Sequence, residues 1–325
     1  MIFPHKYAKF IIIAIILCII LLLFLLYMHV QNIEYYKNSS MKIYLHKFGW
    51  DTDITNNFFI DICSTAFNTQ CTLGNAENSD IIVFNNFADD FEVLNKYKYK
   101  IFFTGENHKT ENPDLYDVLF AGENTAEKYV SFPLFLLYLD QNAINNLINM
   151  PIRTTFPDKD ILVIISNPGG GIRNKFIDAL DKEFNITYAG GYKNNIGGKL
   201  EFTQGTPEYN NYVNQYKFII TMENSEAPHY VTEKILQGMQ SQIVPVYYGA
   251  SEVSKYFNKD RFIQLKDGSD EAIGATIYQM KKLASSPQKW LDMVNKPVFA
   301  GPDGKLNYGP TEIGKLMRSV LKISE

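Results

Sequence analysis

The chain has 325 residues, 46% hydrophobic and 14% aromatic, which is material for two cores rather than one small domain. Its formal net charge of −4 leaves no basic surplus of the kind nucleic-acid binding requires, so no nucleic-acid partner is expected. With three cysteines there is no disulfide framework: Cys18 falls in an apolar run, and Cys63 and Cys71 can pair in an oxidising compartment or remain buried thiols.

From Phe10 to Tyr27 the chain reads FIIIAIILCIILLLFLLY, without a charge. As a helix this is about 27 Å long, enough for a bilayer core. Lys6 and Lys9 precede it, and the first charges after it are Glu34 and Lys37. The charge asymmetry predicts a cytoplasmic tail at 1–9, a transmembrane signal anchor at 10–28 and a stem at 29–40. Everything beyond then lies on the non-cytoplasmic face, as in a single-pass type II membrane protein of Golgi or ER type. A cleavable signal peptide is the rival, but the apolar core exceeds an h-region of about 7–15 residues and no A-x-A-like site follows. Asn38 and Asn185 head glycosylation sequons.

The soluble part opens with MKIYLHKF, a strand pattern, and NNFFIDICSTAF, whose apolar residues recur at helical spacing. SDIIVFNNF and YKIFFTGEN are short apolar runs ending in polar residues, the signature of strands buried on both faces of a parallel sheet. LYDVLFAG, the aromatic stretch KYVSFPLFLLY and a helical DQNAINNLINM follow. Near residue 150 the alternation restarts: DILVIISN as strand, PGGG as turn, IRNKFIDALDKEF as an amphipathic helix, then ITYAGG, YKFIITMENSEAPHYVTEKILQGMQSQIVPVYYGA and FIQLKD. The C-terminal third is mostly helical. Strands and helices that alternate twice predict an α/β protein of two Rossmann-like, doubly wound domains, 41–152 and 153–325, facing a cleft. Ligands in such sheets bind beyond the carboxyl ends of the strands, where TGEN, SNPGGGIR and MENSEAPHYVTEK stand.

SNPGGGIR puts exposed backbone amides at a helix start, with Arg173 able to grip a phosphate through two bonds; a plain Gly-rich turn with a surface arginine is the alternative. It is neither G-x-G-x-x-G nor a P-loop, so NAD and ATP are not signalled. In HYVTEK, Glu233 and Lys234 are adjacent near a helix start and do not face each other as an i,i+4 pair would. One can reach a diphosphate while the other accepts from ribose hydroxyls, with Tyr230 and Asn224 beside them; a capped helix with a solvated charge pair is the bland reading. DTD at 51–53 matches a metal-binding D-x-D, but it stands early in the first domain and reads as a solvated loop. No metal site is expected: the histidines form no H-x-H or H-E-x-x-H.

YKFIITMENSEAPHYVTEKILQGMQSQIVPVYYGA resembles the signature of glycosyltransferase family 10, the α-1,3/4-fucosyltransferases. YKIFFTGEN resembles that family's F-x-G-E-N, DLYDVLFAG with KYVSFPLFLLY its D-Y-x-I-G-F and R-Y-x-R-x-P-L-Y, and ISNPGGGIRNKFIDAL its S-N and R-x-x-F segment. The likeness runs in order over roughly residues 41 to 275. It implies a GT-B fold with an N-terminal acceptor domain and a C-terminal GDP-sugar domain. It further implies inverting transfer of L-fucose from GDP-fucose to a glycan hydroxyl, α-1,3 to GlcNAc. Carried over, Glu106 is the catalytic base, and Arg173, Asn224, Tyr230, Glu233 and Lys234 bind the donor. Asn107, Glu223, Ser225 and His229 are further donor or acceptor contacts. No cofactor is required, a divalent metal being at most stimulatory. A transferase using another GDP-sugar and a non-catalytic glycan-binding descendant are the alternatives. The chain departs from the pattern at His229, which either caps the loop or touches the sugar. It departs again at Lys128–Leu134, where one arginine is lost, and at Met222, where an aromatic is common.

Overall fold

Runs of Ile, Val and Phe with no polar interruption need cover on both faces, and parallel sheets supply it. The computed structural model, which describes residues 17–27, 40–48, 53–120 and 127–324, contains two such sheets. The first holds β1 (Ser40–His46), β2 (Gln70–Leu73), β3 (Ile81–Asn85), β4 (Tyr99–Phe103) and β5 (Val118–Phe120), in the order β2-β1-β3-β4-β5. The second holds β6 (Lys159–Val163), β7 (Ile186–Tyr188), β8 (Tyr216–Ile220), β9 (Val244–Tyr247) and β10 (Ile263–Gln264), in the order β10-β9-β8-β6-β7. Every pairing is parallel, with Ile43 opposite Ile81 in one sheet and Val163 opposite Ile220 in the other. Numbered within its own sheet, each unit has the order 2-1-3-4-5. The strand order therefore reverses between β1 and β3, and between β6 and β8, and a crevice opens at such a reversal.

The helices are α1 (17–27), α2 (Asp53–Phe67), α3 (Gln141–Ile148), α4 (Gly171–Leu180), α5 (Pro207–Val213), α6 (Lys234–Gln240), α7 (Asp270–Ala284), α8 (Pro287–Val294) and α9 (Pro310–Val320). Three starts follow from capping chemistry, those of α3, α5 and α7: the side chains of Asp140, Thr206 and Ser269 accept from the backbone N–H of Ala143, Tyr209 and Ala272. The strand Gln70–Leu73 has only one buried residue, so the sequence pattern does not reveal it.

Two apolar cores result. One lies on the second sheet, around Phe176, Phe218, Ile219 and Trp290. The other begins under the first sheet at Phe59, Phe103, Phe120 and Phe132 and continues without a break into Val231, Ile235, Met239 and Phe257 of the second unit. The backbone N–H of Phe135 donates to the carbonyl of Val231 across that seam at 2.9 Å. The helix α9 also crosses over. Sequence assigns it to the second domain, 153–325, yet Ile313 and Met317 lie in the first core and Arg318 donates to the carbonyls of Thr65 and Ala66 at the end of α2. The amphipathic spacing of α9 shows that it must bury a face but not which sheet offers the surface.

The expected anchor at 10–28 is described only over 17–27, where α1 is helical and its Leu, Ile and Phe side chains are exposed. Residues 10–16 and 28 lie outside the described residues, as do the stem to 39, Asn38 and the first two residues of DTD; Asp53 opens α2. Among the described residues no helix is long and apolar enough to cross a membrane. Cys63 and Cys71 are buried free thiols, and burial pushes both upward in pKa, Cys71 to about 11.

Gly314 sets the approach of α9 to α2: a Cβ there would lie 2.6 Å from Thr65 Cβ and 2.7 Å from the Ile62 carbonyl oxygen. Gly314→Val is expected to lower the unfolding free energy by about 1–3 kcal/mol in urea denaturation. An unchanged midpoint would show that α9 does not seat there.

Candidate active site at the cleft

The reversal point of the second sheet collects the polar residues. β6 runs out into Ser166–Gly170 and α4, and its neighbour β8 runs out into Thr221–Glu233 and α6. Arg173, in the first turn of α4, ties the two loops. Its Nη1 donates to Asn224 Oδ1 at 2.7 Å, and its Nη2 donates to the carbonyl of Asn167 at 2.8 Å and to that of Gly169. Gly170 has φ +128, where a Cβ would crowd the guanidinium at 3.1 Å, so glycine lets the loop fold over the arginine. The alternative of a surface arginine does not hold: Arg173 is only 2% exposed, and burial lowers its pKa. Its guanidinium stays charged, since arginine keeps its proton even when shifted downward.

A second buried charge governs the other loop. Glu223, predicted as a ligand contact, has no exposed side-chain surface. Its carboxylate accepts from the backbone N–H of Thr232 at 2.8 Å, from the Thr232 hydroxyl at 2.8 and 3.0 Å, and from Lys234 Nζ at 3.1 Å. Gly249, at φ +154, makes room beside it, because a Cβ would come 2.6 Å from Glu223 Cγ. Burial raises the Glu223 carboxyl above its ordinary range, Lys234 and Thr232 pulling it back. At Lys234 burial pulls down, but Glu223, Glu233 and Glu106 outweigh it and the ammonium is raised. The two shifts point opposite ways for the pair. The ionised pair is the form the geometry supports, because every group converging on the carboxylate is a donor.

Lys234 Nζ also donates to Thr232 Oγ1 at 2.9 Å, so two of its three N–H bonds are used and one remains for a ligand. Glu233 Oε1 stands 3.7 Å from the same ammonium. Sequence spacing argues against that approach, but Glu233 is the residue before α6 rather than part of it. The Glu233 carbonyl accepts from Gln204 Nε2 at 3.4 Å.

The first unit contributes Glu106 and Asn107 from the turn after β4. The backbone N–H of Glu106 donates to Thr104 Oγ1 at 3.0 Å, which leaves the carboxylate exposed. Burial raises the pKa of Tyr230, helped by the nearby carboxylates of Glu223, Glu106 and Glu233. Asn107 Nδ2 donates to Ser225 Oγ at 2.9 Å, a second bond from unit to unit. Glu106, Asn107, Glu223, Asn224, Ser225, Tyr230, Glu233 and Lys234 are therefore neighbours, with Arg173 linked through Asn224. The His229 ring turns to the core: φ is +58, and its Nδ1 is 2.6 Å from Tyr256 Oη.

Sequence reasoning misses two site residues, Thr232 and Tyr138. The hydroxyl of Thr232 is shared by Glu223 and Lys234, and no spacing rule marks it. Tyr138 ends a 3-10 turn whose other residues are buried, but is itself 47% exposed. Burial and the carboxylates of Glu233, Glu106 and Glu223 push its phenol up to about 12. An aromatic breaking out of a buried run was the available signal. Among the described residues no three His, Cys, Asp or Glu side chains are grouped to hold a metal ion.

Residues 157–293 match the family model described as Glycosyltransferase family 10 (fucosyltransferase) C-term. The chain is 27% identical over 266 residues to an alpha-(1,3)-fucosyltransferase of Helicobacter pylori, covering 70% of this chain and 53% of that protein. It is 23% identical over 288 residues to a putative fucosyltransferase of Acanthamoeba polyphaga mimivirus, covering 84% and 45%. The chain thus spans about half the length of these curated relatives. It shares its fold with crystal structures of an alpha1,3-fucosyltransferase. The complex of that protein with GDP superposes at a TM-score of 0.64, with 22% identity over 88% of this chain and 91% of that chain. Its complex with GDP-fucose gives 0.62, with 22% identity over 89% and 93%.

Thr232→Val keeps shape but withdraws a hydroxyl from the buried carboxylate, and is expected to cost about 1–3 kcal/mol in chemical denaturation. Burial lowers the pKa of His229, with Glu252 raising it and Lys255 lowering it, so the folded value lies below the unfolded value of about 6.5. Its contribution to stability is present above that pH and is lost as pH falls through the folded value. His229→Asn tolerates the positive φ and removes the titration. The fall in Tm from pH 7 to pH 5 should be smaller in this variant, and an equal fall would exclude His229 as its source.

Proposed function

We propose, from the match of residues 157–293 to the glycosyltransferase family 10 model, that the chain is an inverting transferase of GT-B type that moves L-fucose from GDP-L-fucose to a hydroxyl of a glycan. The expected linkage is α-1,3 to GlcNAc. The observation that carries this reading is the meeting of Glu106 with the Tyr230–Lys234 loop across two units. A transfer between two molecules needs a base from one side and a charge-stabilising site from the other, and this cleft has both.

In this mechanism the donor's diphosphate lies at the reversal point of the second sheet. Lys234 donates its remaining N–H to it, and Arg173 supplies a fixed positive charge beneath the loop while orienting Asn224. Both oppose the negative charge that grows on GDP as the bond to the anomeric carbon breaks. Glu233 and Tyr230 face the nucleotide sugar. The acceptor hydroxyl attacks the anomeric carbon from the side opposite the leaving GDP, which inverts the configuration, and Glu106 takes its proton. Tyr230, whose phenol lies near the Glu106 carboxylate, is placed to hold it in line. Two fixed cations supply the charge stabilisation, so no cofactor is needed and a divalent metal is at most stimulatory. The apolar segment 10–28 serves in this proposal as a type II anchor, with the transferase on the non-cytoplasmic face.

The test is donor binding followed by turnover. GDP and GDP-fucose at 100 times their Kd should each stabilise the fold by about 2.7 kcal/mol, while UDP-sugars should not. Stronger binding of a different GDP-sugar would change the donor. Glu106→Gln is expected to reduce kcat by about 10²–10⁴ with GDP affinity retained. Unchanged turnover would remove Glu106 as the base. The double variant Glu223→Gln, Lys234→Met removes the ammonium without stranding a buried carboxylate, and should weaken GDP by about 1.5–3 kcal/mol in calorimetry.

A further inference from the structure

Three residues behind the cleft form a chain of hydrogen bonds that ends on it. The phenol of Tyr209, buried on α5, donates to Gln237 Oε1 at 3.0 Å. Gln237, buried on α6, donates through Nε2 to Gln204 Oε1 at 3.2 Å. Gln204 in turn donates through its own Nε2 to the carbonyl of Glu233 at 3.4 Å. Each amide accepts on its oxygen and donates from its nitrogen, so the three bonds run in one direction and polarise one another.

The fold fixes where the chain stands. Just before α5, the backbone N–H and the hydroxyl of Thr206 both donate to the Thr203 carbonyl, at 3.1 and 2.8 Å. Gly205 inside that turn has φ +85, which glycine adopts without steric cost. Thr203 and Gly205 are exposed, while Gln204 between them is half-buried and turned toward α6.

The other end of the chain bears on Lys234. Glu233 has φ −61 and ψ −15, where a regular α-helix has ψ of about −42. Its carbonyl accepts from the backbone N–H of Leu236, three residues on, at 3.0 Å, a bond of 3-10 type. Gln204 donates to the same oxygen and so holds this tightened entry. Glu233 Oε1 stays 3.7 Å from Lys234 Nζ, within Coulomb range but longer than a hydrogen bond. Lys234 already donates to Glu223 and to Thr232. A closer Glu233 carboxylate would take its third N–H.

We propose that Gln204, held by Gln237 and Tyr209, is a positioning residue for the donor site. It fixes the backbone of Glu233 so that the Glu233 carboxylate stays off Lys234, and the third N–H of the ammonium is left for the diphosphate. This rests on the transferase reading and adds the residues that keep its donor site open. Gln204 acts through Glu233.

The experiment is a double-mutant cycle on the full chain, with Kd for GDP measured by calorimetry. Gln204→Leu keeps bulk without a donor, and Gln204→Ala removes the amide without adding any. Each should weaken GDP by about tenfold, the loss of one charge-assisted bond. Glu233→Met leaves no carboxylate to close on Lys234, and the cycle cancels its own effect on Kd. In that background Gln204→Leu should change Kd by less than about twofold. An unchanged Kd in both Gln204 variants overturns the inference. So does an equal loss with and without the Glu233 carboxylate, because a purely structural role carries over to both backgrounds. Either result leaves the donor reading standing. A wild type that binds no GDP overturns the transferase reading and the inference with it.

Discussion

A carboxylate with no exposed surface stands at the centre of the loop that joins β8 to α6 in the second unit. Glu223 leaves the end of β8 and turns inward, so the chain from 224 to 231 must arch over it and return Thr232 and Lys234 to its oxygens. Removing a carboxylate from water is expensive unless donors surround it, and those donors are the residues that carry the loop into α6. Once Thr232 is fixed, Lys234 is fixed, with its ammonium between Glu223, Thr232 and Glu233. The same arch brings Tyr230 to Glu106 and Ser225 to Asn107. The turn of Glu106 and Asn107 on one unit is thereby held against the Ser225–Lys234 loop on the other, which a buried charge shapes.

That arrangement holds only if the two sheets keep their places, and here the apolar core does the work. The loop's own Ala227, Tyr230 and Val231 are part of the core of the first unit, next to Phe135 and Phe257. The cleft therefore has a continuous hydrophobic floor rather than a hinge of bare linker. Helix α9 closes the assembly from the far side, Arg318 satisfying carbonyls at the end of α2 that would otherwise face a neighbouring helix unpaired. The repeated strand order gives each unit one reversal point.

How far this was legible in the amino-acid order depends on the range of the interaction concerned. Strands such as Ile81–Asn85 and Tyr216–Ile220 are legible because burial on both faces demands unbroken apolar runs, and helix starts because Asp140, Thr206 and Ser269 cap their own neighbours. These forces act within a few residues, so adjacency in sequence is adjacency in space. The polar loops at strand ends were legible for the same reason, and with them the residues of the cleft. The short edge strand Gln70–Leu73 was not, since an edge needs little burial.

What each polar residue does was decided elsewhere. Arg173 and Glu223 look alike in sequence as charged residues at a loop, but the fold buries both and assigns them to holding the loops, while Glu106 and Lys234 keep a face to the cleft. Glu106 and Tyr230 are far apart in the chain and meet only because two sheets share a core. The seat of α9, against α2 rather than its own unit, is of the same kind. Sequence by itself determined two parallel α/β units and the polar clusters at their mouths, because alternation and capping are local. Which charges are spent inside and which remain for a ligand was settled by tertiary structure alone, because desolvation depends on everything that surrounds a group, most of it distant in sequence.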